Sequence, residues 1–259
     1  MSSTETIRLR YQSYVDTSLA APYIGRLKSH LDEIRGPTST IELVELSPPD
    51  SYAHPLVEFR CAQTVVRNAI RAEQEGFDAF VIGHIQDSGL YEARSAVRIP
   101  VLGLGEACML HACTLGSRAG LVTINPSFVP GFRQQIRRYG LEHRVPFIES
   151  IDYQPGDFMR AFESAEVRSQ VIEQYCRQAE RVVQSGADVF IPGGGILMLL
   201  LEMAKVRSIA GAPVICGIAT LVEMAEMAVR LRRRYGLETS RLGDFKLPPR
   251  HVIDEFLED

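Results

Sequence analysis

The strongest constraint on the fold of this sequence is an internal repeat. The segment GFDAFVIGH at residues 76–84 aligns with GADVFIPGG at residues 186–194. Each copy follows a charged helical stretch, and each is followed by a helix and then by a second short strand beginning at a proline, in IPVLG at 99–103 and in APVIC at 212–216. A recurring segment of this kind indicates a repeated structural unit. The chain is therefore predicted to contain two equivalent βαβ units.

Short apolar strands alternate with amphipathic helices along the whole chain. Most of these strands are apolar on both faces, which is typical of parallel strands covered by helices on both sides. The predicted strands span residues 6–10, 40–46, 79–84, 100–104, 119–124, 147–151, 189–192 and 213–216, and the predicted helices lie near 20–35, 57–75, 106–115, 129–139, 165–185, 197–208 and 219–235. We predict an α/β fold with two pseudo-symmetric, doubly wound lobes of mainly parallel strands.

The repeat also suggests how the chain divides. Residues 1–115 together with 219–240 are assigned to the first lobe, residues 116–218 to the second lobe, and residues 241–259 to a C-terminal extension. In the extension, apolar side chains recur on one helical stripe. This apolar stripe is expected to pack either against its own lobe or against a partner subunit. The stripe consists of Val252, Ile253, Phe256 and Leu257.

Composition excludes several classes of protein. With 46% apolar and 23% charged residues the chain resembles an ordinary globular protein, and its net charge of -4 argues against a nucleic-acid surface. The opening MSSTETIRLR shows neither a secretory signal nor a membrane anchor, so we expect a cytoplasmic protein that does not bind a membrane. Five cysteines without a CxxC pair suit reduced, buried thiols better than disulfides.

Ligands of parallel sheets bind beyond the carboxyl ends of the strands, where loops leave backbone N–H groups unpaired. Residues 84–89 occupy that position in the first lobe, and Gly193, Gly194 and Gly195 occupy it in the second. The repeat pairs His84 with Gly194. We therefore expect the two loops to face each other across a small-molecule site between the lobes.

Several motifs, in order and at compatible spacing, resemble the aspartate/glutamate racemase superfamily, nearest its hydantoin racemase branch. The resemblance covers roughly residues 5–235. It implies a two-lobed α/β fold with an interlobe site, an enzyme without a cofactor, a small-molecule substrate and a homo-oligomer. The motifs are VIGHIQDSGL, IPVLGLGEA, LVTINPSFVP, GADVFIPGGG and APVICGIA.

At the positions of the family's catalytic residues, this chain differs from the family that it resembles. Members typically use two cysteines, one per lobe, as paired acid and base across a substrate carbon. Here His84 stands at the first of these positions and Gly194 at the second, so two-thiol racemisation does not carry over. Where the family often shows an Asn-Pro-Asn turn after the first strand, this chain has the sequence YQSY at residues 11–14.

His84 and Asp87 are the predicted catalytic residues. An imidazole exchanges a proton near neutrality, and the Asp87 carboxylate is expected to hold one of its ring nitrogens. Two alternatives stay open for His84. It could merely fill the cleft, or it could bind a metal with Asp87 or Glu106, although no spaced set such as HExxH supports a metal site. Glu106 itself is interpreted as a carboxylate in the first turn of a helix.

The substrate-binding residues are predicted to lie at the strand ends. The triple glycine 193–195 can form a backbone nest for a carboxylate, an enolate or an oxyanion, or else a flexible turn before a helix. Asn125 and Ser127 either contact substrate or close a turn and cap the next helix. The complete set is Ser13, Tyr14, Ser88, Thr123, Asn125, Ser127, Gly193, Gly194 and Gly195.

These expectations define two hypotheses. In the first, the chain is a cofactor-independent enzyme that uses His84 for proton transfer or water activation on a small carboxylate or a cyclic amide or ureide. A vacant second position favours one-sided chemistry, such as decarboxylation, elimination or hydrolysis, over racemisation. In the second, the chain is a catalytically inactive homologue that only binds a small ligand. The ionisable group at position 84 favours the enzyme.

Overall fold

The computed structural model describes residues 6–50, 52, 54–152 and 155–258. The strands are β1 Ile7–Gln12, β2 Ser39–Val44, β3 Ala79–Ile82, β4 Val101–Gly103, β5 Ala119–Thr123, β6 Phe147–Ser150, β7 Val189–Gly193, β8 Ser208–Ile209 and β9 Ala212–Pro213. The helices are α1 Thr17–Ile34, α2 Pro55–Gln74, α3 Leu90–Ala96, α4 Leu104–Leu115, α5 Val129–Arg138, α6 Pro155–Glu163, α7 Ala165–Gln184, α8 Gly195–Met203, α9 Gly217–Tyr235 and α10 Arg250–Glu258.

The larger strands form two parallel sheets with the same order of connections. The first sheet runs β2-β1-β3-β4, and the second runs β6-β5-β7. In the second sheet Val214 adds one parallel bridge to Phe190, in the place that β4 takes beside β3. The predicted α/β class and the mainly parallel sheets are confirmed. The boundaries assigned to the lobes stay a prediction.

The repeat is built on the same backbone contacts in both halves. Gly76 and Gly186, which end the turns after α2 and α7, have φ of 76° and 106°, a region that favours glycine. Two residues later, the Asp78 carboxylate accepts the N–H of Arg8 at 2.8 Å, and the Asp188 carboxylate accepts the N–H of Arg118 at 2.8 Å. Each carboxylate thus ties its strand to the first strand of its own sheet.

The last predicted strand, 213–216, is wrong in extent. Its only ladder is the two-residue antiparallel pair of β8 with β9. After Pro213, the backbone pairing with the second sheet found among the described residues is with Phe190, whose carbonyl accepts the Ile215 N–H at 2.8 Å, and Cys216 is already the N-cap residue of α9. The segment is too short to continue as a strand. The prediction also missed α6 and β8, and it extended α8 to residue 208 although the helix ends at Met203.

The two halves share one continuous core. A single cluster of buried side chains includes Leu9 and Val81 of the first sheet and Leu121 and Ile191 of the second. Helix α9 contacts β1, β3 and β4, and α4 contacts both α9 and β7. Helix α4 therefore packs against elements of both halves.

The C-terminal helix α10 packs on its own chain. Ile253, Phe256 and Leu257 lie against the buried cluster that includes α2 and β3. The Arg67 guanidinium of α2 donates to the Phe256 carbonyl at 3.3 Å and lies 4.9 Å from the centre of the Phe256 ring. The structure therefore places this stripe on its own lobe. Val252 remains 41% exposed.

The described helices include none with the length and apolar character needed to cross a membrane. The five cysteines are unpaired. Cys61 and Cys108 are buried as predicted, whereas Cys113, Cys176 and Cys216 are only half-buried, which the prediction of buried thiols did not anticipate.

Candidate active site

His84 stands at the carboxyl end of the fully buried strand β3. The preceding residue must be small, because a β-carbon on Gly83 would lie 2.2 Å from the Tyr11 ring. The His84 imidazole is stacked on the ring of Tyr14, with 4.0 Å between ring centres and 11° between the planes. The Tyr14 hydroxyl donates a hydrogen bond to the Ser88 carbonyl. Tyr14 and the loop that follows β3 therefore hold the imidazole in place from one face.

Two carboxylates flank the edge of this imidazole. His84 Nε2 lies 3.7 Å from Asp50 Oδ2 and 3.9 Å from Glu58 Oε1. Asp50 precedes α2, and its backbone N–H donates to the Tyr14 carbonyl at 2.7 Å. Glu58 lies in the first turn of α2, where the Ser88 hydroxyl donates to its other oxygen at 2.5 Å. We call Asp50, Glu58 and His84 the histidine cluster.

The histidine cluster is partly desolvated. Burial raises the pKa of Asp50, and the nearby imidazole acts in the opposite direction. His84 Nδ1 and Glu58 Oε1 are buried atoms without a hydrogen-bond partner in the described part of the chain. The distances from Nε2 exceed those of direct hydrogen bonds but leave the two negative charges close enough to stabilise an imidazolium. The cluster thus places two carboxylates beside one edge of the imidazole.

The same three side chains could instead share a cation. Within the described residues they form one group whose ligand atoms all lie within 4.8 Å of one another. Carboxylate oxygens and imidazole nitrogens are ordinary ligands of divalent transition metals. A cation bound there would occupy His84 Nε2, so metal binding and proton transfer at this atom exclude each other.

Asp87 does not hold the imidazole, contrary to the prediction. One oxygen accepts the N–H of Gly105 at 2.9 Å, and the other accepts the N–H of Glu106 at 2.7 Å. The second oxygen also accepts from Tyr139 Oη at 2.7 Å and from Gln135 Nε2 at 3.0 Å. These donors direct the carboxylate onto the start of α4 and onto α5. Asp87 is therefore a capping residue that ties the loop after β3 to the second half.

Asp87 is buried, and burial raises its pKa to about 7, while the hydrogen bonds from Tyr139, Gly105 and Glu106 act to lower it. The adjoining Glu106 forms a two-pronged ion pair with Arg94 of α3, one contact of which is 2.9 Å. Glu106 thus lies in the first helical turn, as the sequence predicted. The Glu106 carboxylate is paired to Arg94, and within the described part of the chain it makes no hydrogen bond or ion pair with His84.

The glycine loop of the second half lies beside Gly83, at the end of β3. Gly193 packs on β5, and the Thr123 hydroxyl donates to its carbonyl at 3.3 Å. A β-carbon on Gly194 would meet no atom within 4 Å, so this residue borders open space. A β-carbon on Gly195 would lie 3.6 Å from the carbonyl oxygen of Gly83. The ends of β3 and β7 are therefore neighbours.

The other predicted binding residues make local contacts. The Asn125 side chain accepts the N–H of Ser127 at 2.9 Å and caps the short 3-10 helix that follows. The Ser13 hydroxyl donates to the Val15 carbonyl at 2.8 Å and closes the turn after β1. These contacts confirm the turn interpretation for Asn125 and Ser127. A role of Ser13, Asn125 and Ser127 in substrate binding stays a prediction.

Sequence reasoning missed Asp50 and Glu58. Both follow β2, whose carboxyl end lies at the same edge of the sheet as that of β3 because the strands are parallel. Applying the strand-end rule to the loop after β2 would have found them. Nothing in the sequence shows that this loop folds back across β1 to reach His84.

Comparison with known proteins gives a consistent result. The family profile described as Asp/Glu/hydantoin racemase matches residues 23–225. A hydantoin racemase of Pseudomonas sp. (strain NS671) is 30% identical over 226 residues, covering 85% of this chain and 86% of the relative. An allantoin racemase from Klebsiella pneumoniae superposes with a TM-score of 0.81 at 23% identity over 95% of both chains. One from Pseudomonas fluorescens superposes with a TM-score of 0.76 at 24% identity over 93% of this chain and 97% of its own.

Proposed function

The chain belongs to the Asp/Glu/hydantoin racemase family, and from that premise we propose that it exchanges a proton at the carbon beside the carbonyl of a cyclic ureide. His84 is the proton-transfer group. The relatives named as hydantoin and allantoin racemases support a cyclic ureide over other small carbonyl compounds. The observation that carries the proposal is the histidine cluster, in which two carboxylates face the edge of one stacked imidazole.

The chemistry consists of one reversible step. The imidazole of His84 takes the proton from the ring carbon, the C–H bond breaks and an N–H bond forms. The electron pair of the broken bond moves into the ring, and the negative charge develops on the adjacent carbonyl oxygen. Asp50 and Glu58 stabilise the imidazolium. Backbone N–H groups of the glycine loop are suited to the developing oxyanion.

The second half offers no side chain at Gly194 to protonate the opposite face. With one base, the proton returns to the face from which it left. We therefore propose exchange of the substrate hydrogen with solvent, mostly with retention of configuration, rather than efficient racemisation. Two alternatives predict no such exchange on a ureide that lacks a leaving group. One is an enzyme for decarboxylation, elimination or hydrolysis, and the other is a binder without activity.

Deuterium exchange tests this proposal. L- and D-5-benzylhydantoin, and separately allantoin, are incubated with the protein in D₂O near neutral pH. The loss of the C5 proton signal is followed by ¹H NMR, and configuration is followed by chiral chromatography. We expect exchange of one enantiomer well above the rate without protein, with little inversion. Exchange no faster than in the protein-free control for every one of these compounds contradicts the proposal.

A further inference from the structure

Tyr23 is a buried tyrosine of α1 at the boundary of the two halves. Helix α1 is interrupted at Ala20, whose φ and ψ are -142° and 46°, and it resumes just before Pro22. This break sets the direction of the turn that carries Tyr23. The side chain is 4% exposed, and its ring packs edge-on against Phe162 of α6 at 5.7 Å between ring centres. The ring is therefore fixed by packing.

The Tyr23 hydroxyl points at the glycine loop. Its oxygen lies 3.0 Å from the position that a β-carbon on Gly195 would take, and the Gly83 carbonyl lies 3.6 Å from the same position. Among the described residues this hydroxyl has no hydrogen bond, and its oxygen is not one of the fully buried unpaired atoms, so it retains access to open space beside the loop. A polar group on so buried a side chain ordinarily has a partner. A ligand oxygen bound at the start of α8 would supply such a partner.

The first N–H groups of α8 also lack a side-chain hydrogen-bond acceptor. The N-cap residue is Gly194, which supplies no side-chain acceptor, and the helix runs for nine residues from Gly195. The first N–H groups of a helix have no acceptor within the helix and carry partial positive charge. Such an end favours an anion. The hydroxyl of Tyr23 therefore lies close to the start of α8, whose first N–H groups have no side-chain cap.

Tyr23 is suited to donate a hydrogen bond rather than to accept a proton. Burial raises its pKa well above the ordinary value for tyrosine, so the phenol is neutral at physiological pH. A neutral phenol in a desolvated position is a donor for negative charge on oxygen.

We propose that the Tyr23 hydroxyl and the first-turn N–H groups of α8 form an oxyanion subsite for the carbonyl oxygen of a cyclic ureide enolate. The identity of this anion rests on the proposed function. The subsite lies on the side of Gly83 and Gly195, and His84 of the histidine cluster directly follows Gly83. Proton removal and charge stabilisation are thereby divided between His84 and Tyr23.

The test compares an anionic and a neutral probe. Barbiturate is a planar cyclic ureide that carries its negative charge on carbonyl oxygens at neutral pH, whereas hydantoin is neutral. Affinities of both are measured by calorimetry for the wild-type protein and for Tyr23→Phe, which removes one oxygen and keeps the ring against Phe162. A hydrogen bond to a charged group predicts a loss of barbiturate affinity of roughly 10-fold or more. Hydantoin affinity should change much less.

Tyr175→Phe is the matched control. Tyr175 is a fully buried tyrosine whose hydroxyl also lacks a hydrogen-bond partner in the described residues, and it packs in the core of the second half. Its replacement should leave both affinities at the wild-type value. The proposal is overturned if wild-type protein does not prefer barbiturate over hydantoin, if Tyr23→Phe keeps the wild-type barbiturate affinity, or if it loses both affinities equally.

The two proposals fail separately. His84→Asn removes the proton-transfer group but leaves Tyr23 and α8 intact, so it should bind barbiturate with nearly wild-type affinity. Tyr23-dependent barbiturate binding without any C5 exchange would refute the proposed activity and keep the subsite. Exchange on 5-benzylhydantoin with barbiturate affinity independent of Tyr23 would refute the subsite and keep the activity.

Discussion

The ring of Tyr14 lies parallel to the imidazole of His84 at 4.0 Å between ring centres, and Tyr14 is itself anchored through its hydroxyl to Ser88. This stacking leaves the imidazole edge directed at Asp50 and Glu58. The loop after β1, the loop after β2 and the loop after β3 thus meet at one histidine. Because each loop follows a strand of the same parallel sheet, the arrangement follows from the fold.

Removing one flanking charge should slow catalysis without unfolding the chain. Glu58→Gln keeps the shape of the side chain and an acceptor for Ser88 but removes a negative charge 3.9 Å from His84 Nε2. We expect kcat for C5 exchange to fall by roughly 10- to 100-fold, with KM nearly unchanged. Steady-state kinetics measure both constants. Glu173→Gln, in an exposed ion pair with Arg177, serves as the control. A rise in KM alone would show that Glu58 acts in binding rather than in proton transfer.

Metal removal should leave activity intact. Proton transfer needs His84 Nε2 unbound, whereas a cation shared by the histidine cluster would block it. We expect dialysis against EDTA to preserve exchange, and added Zn²⁺ to inhibit it less in Glu58→Gln than in the wild type. The measurement is the exchange rate before and after dialysis, with metal content checked by mass spectrometry. Inactivation by EDTA that a divalent metal restores would assign the cluster to a metal.

Asp87 should make stability depend on pH. Its pKa is raised from 3.8 to about 7 by burial, so between these values the folded chain holds a proton that the unfolded chain has released. The free energy of unfolding should therefore fall as pH rises from about 4 to about 7, by at most about 1.4 kcal/mol per pH unit. The neighbouring charged or titratable groups are Glu106, Arg94 and Tyr139.

Urea unfolding of the wild type and of Asp87→Asn across this range isolates the effect. Asparagine does not titrate, so the stability of the wild type relative to the variant should be largest near pH 4 and should shrink toward pH 7. A difference that stays constant, or that grows with pH, would contradict the buried, raised-pKa carboxyl.

Gly194→Ala should affect ligand binding and also strain the backbone, because Gly194 has a φ of 158°, which L residues rarely adopt. A β-carbon at Gly194 would meet no atom of the free protein, whereas one at Gly193 would lie 2.6 Å from the Thr123 α-carbon. We expect Gly194→Ala to weaken barbiturate binding by roughly 10-fold, because the methyl group intrudes on the anion site. Gly193→Ala should instead lower stability by about 1–3 kcal/mol. Calorimetry and thermal melting separate the two effects. Wild-type barbiturate affinity in Gly194→Ala would place the ligand elsewhere.

The repeat could be predicted from sequence because its signals are local. Turn glycines such as Gly76 and Gly186 and the aspartates two residues later are fixed by backbone geometry within each unit. The position of His84 beyond β3 follows from the strand-end rule. The expected homo-oligomer and cytoplasmic location stay predictions.

Other features of the site depend on the directions in which loops and side chains turn, which could not be predicted from the sequence. Asp87 was assigned to catalysis because it lies in the same loop as His84. In the structure its carboxylate instead accepts hydrogen bonds from the N–H groups at the start of α4. Asp50 and Glu58 reach His84 only because their loop crosses over β1. Tyr23 occupies an apolar position of an amphipathic helix, where it looks like an ordinary core residue.

His84 itself provides the most direct measurement of the central claim, which is that its imidazole exchanges a proton with the substrate carbon. His84→Asn keeps a polar side chain and removes titration. The rate of C5 deuterium exchange on 5-benzylhydantoin is compared between the wild type and this variant, with barbiturate affinity as the check on binding. We expect the exchange rate to fall by roughly 10²- to 10⁴-fold while barbiturate still binds. A variant that exchanges at nearly the wild-type rate would show that His84 only fills the cleft and that another group moves the proton.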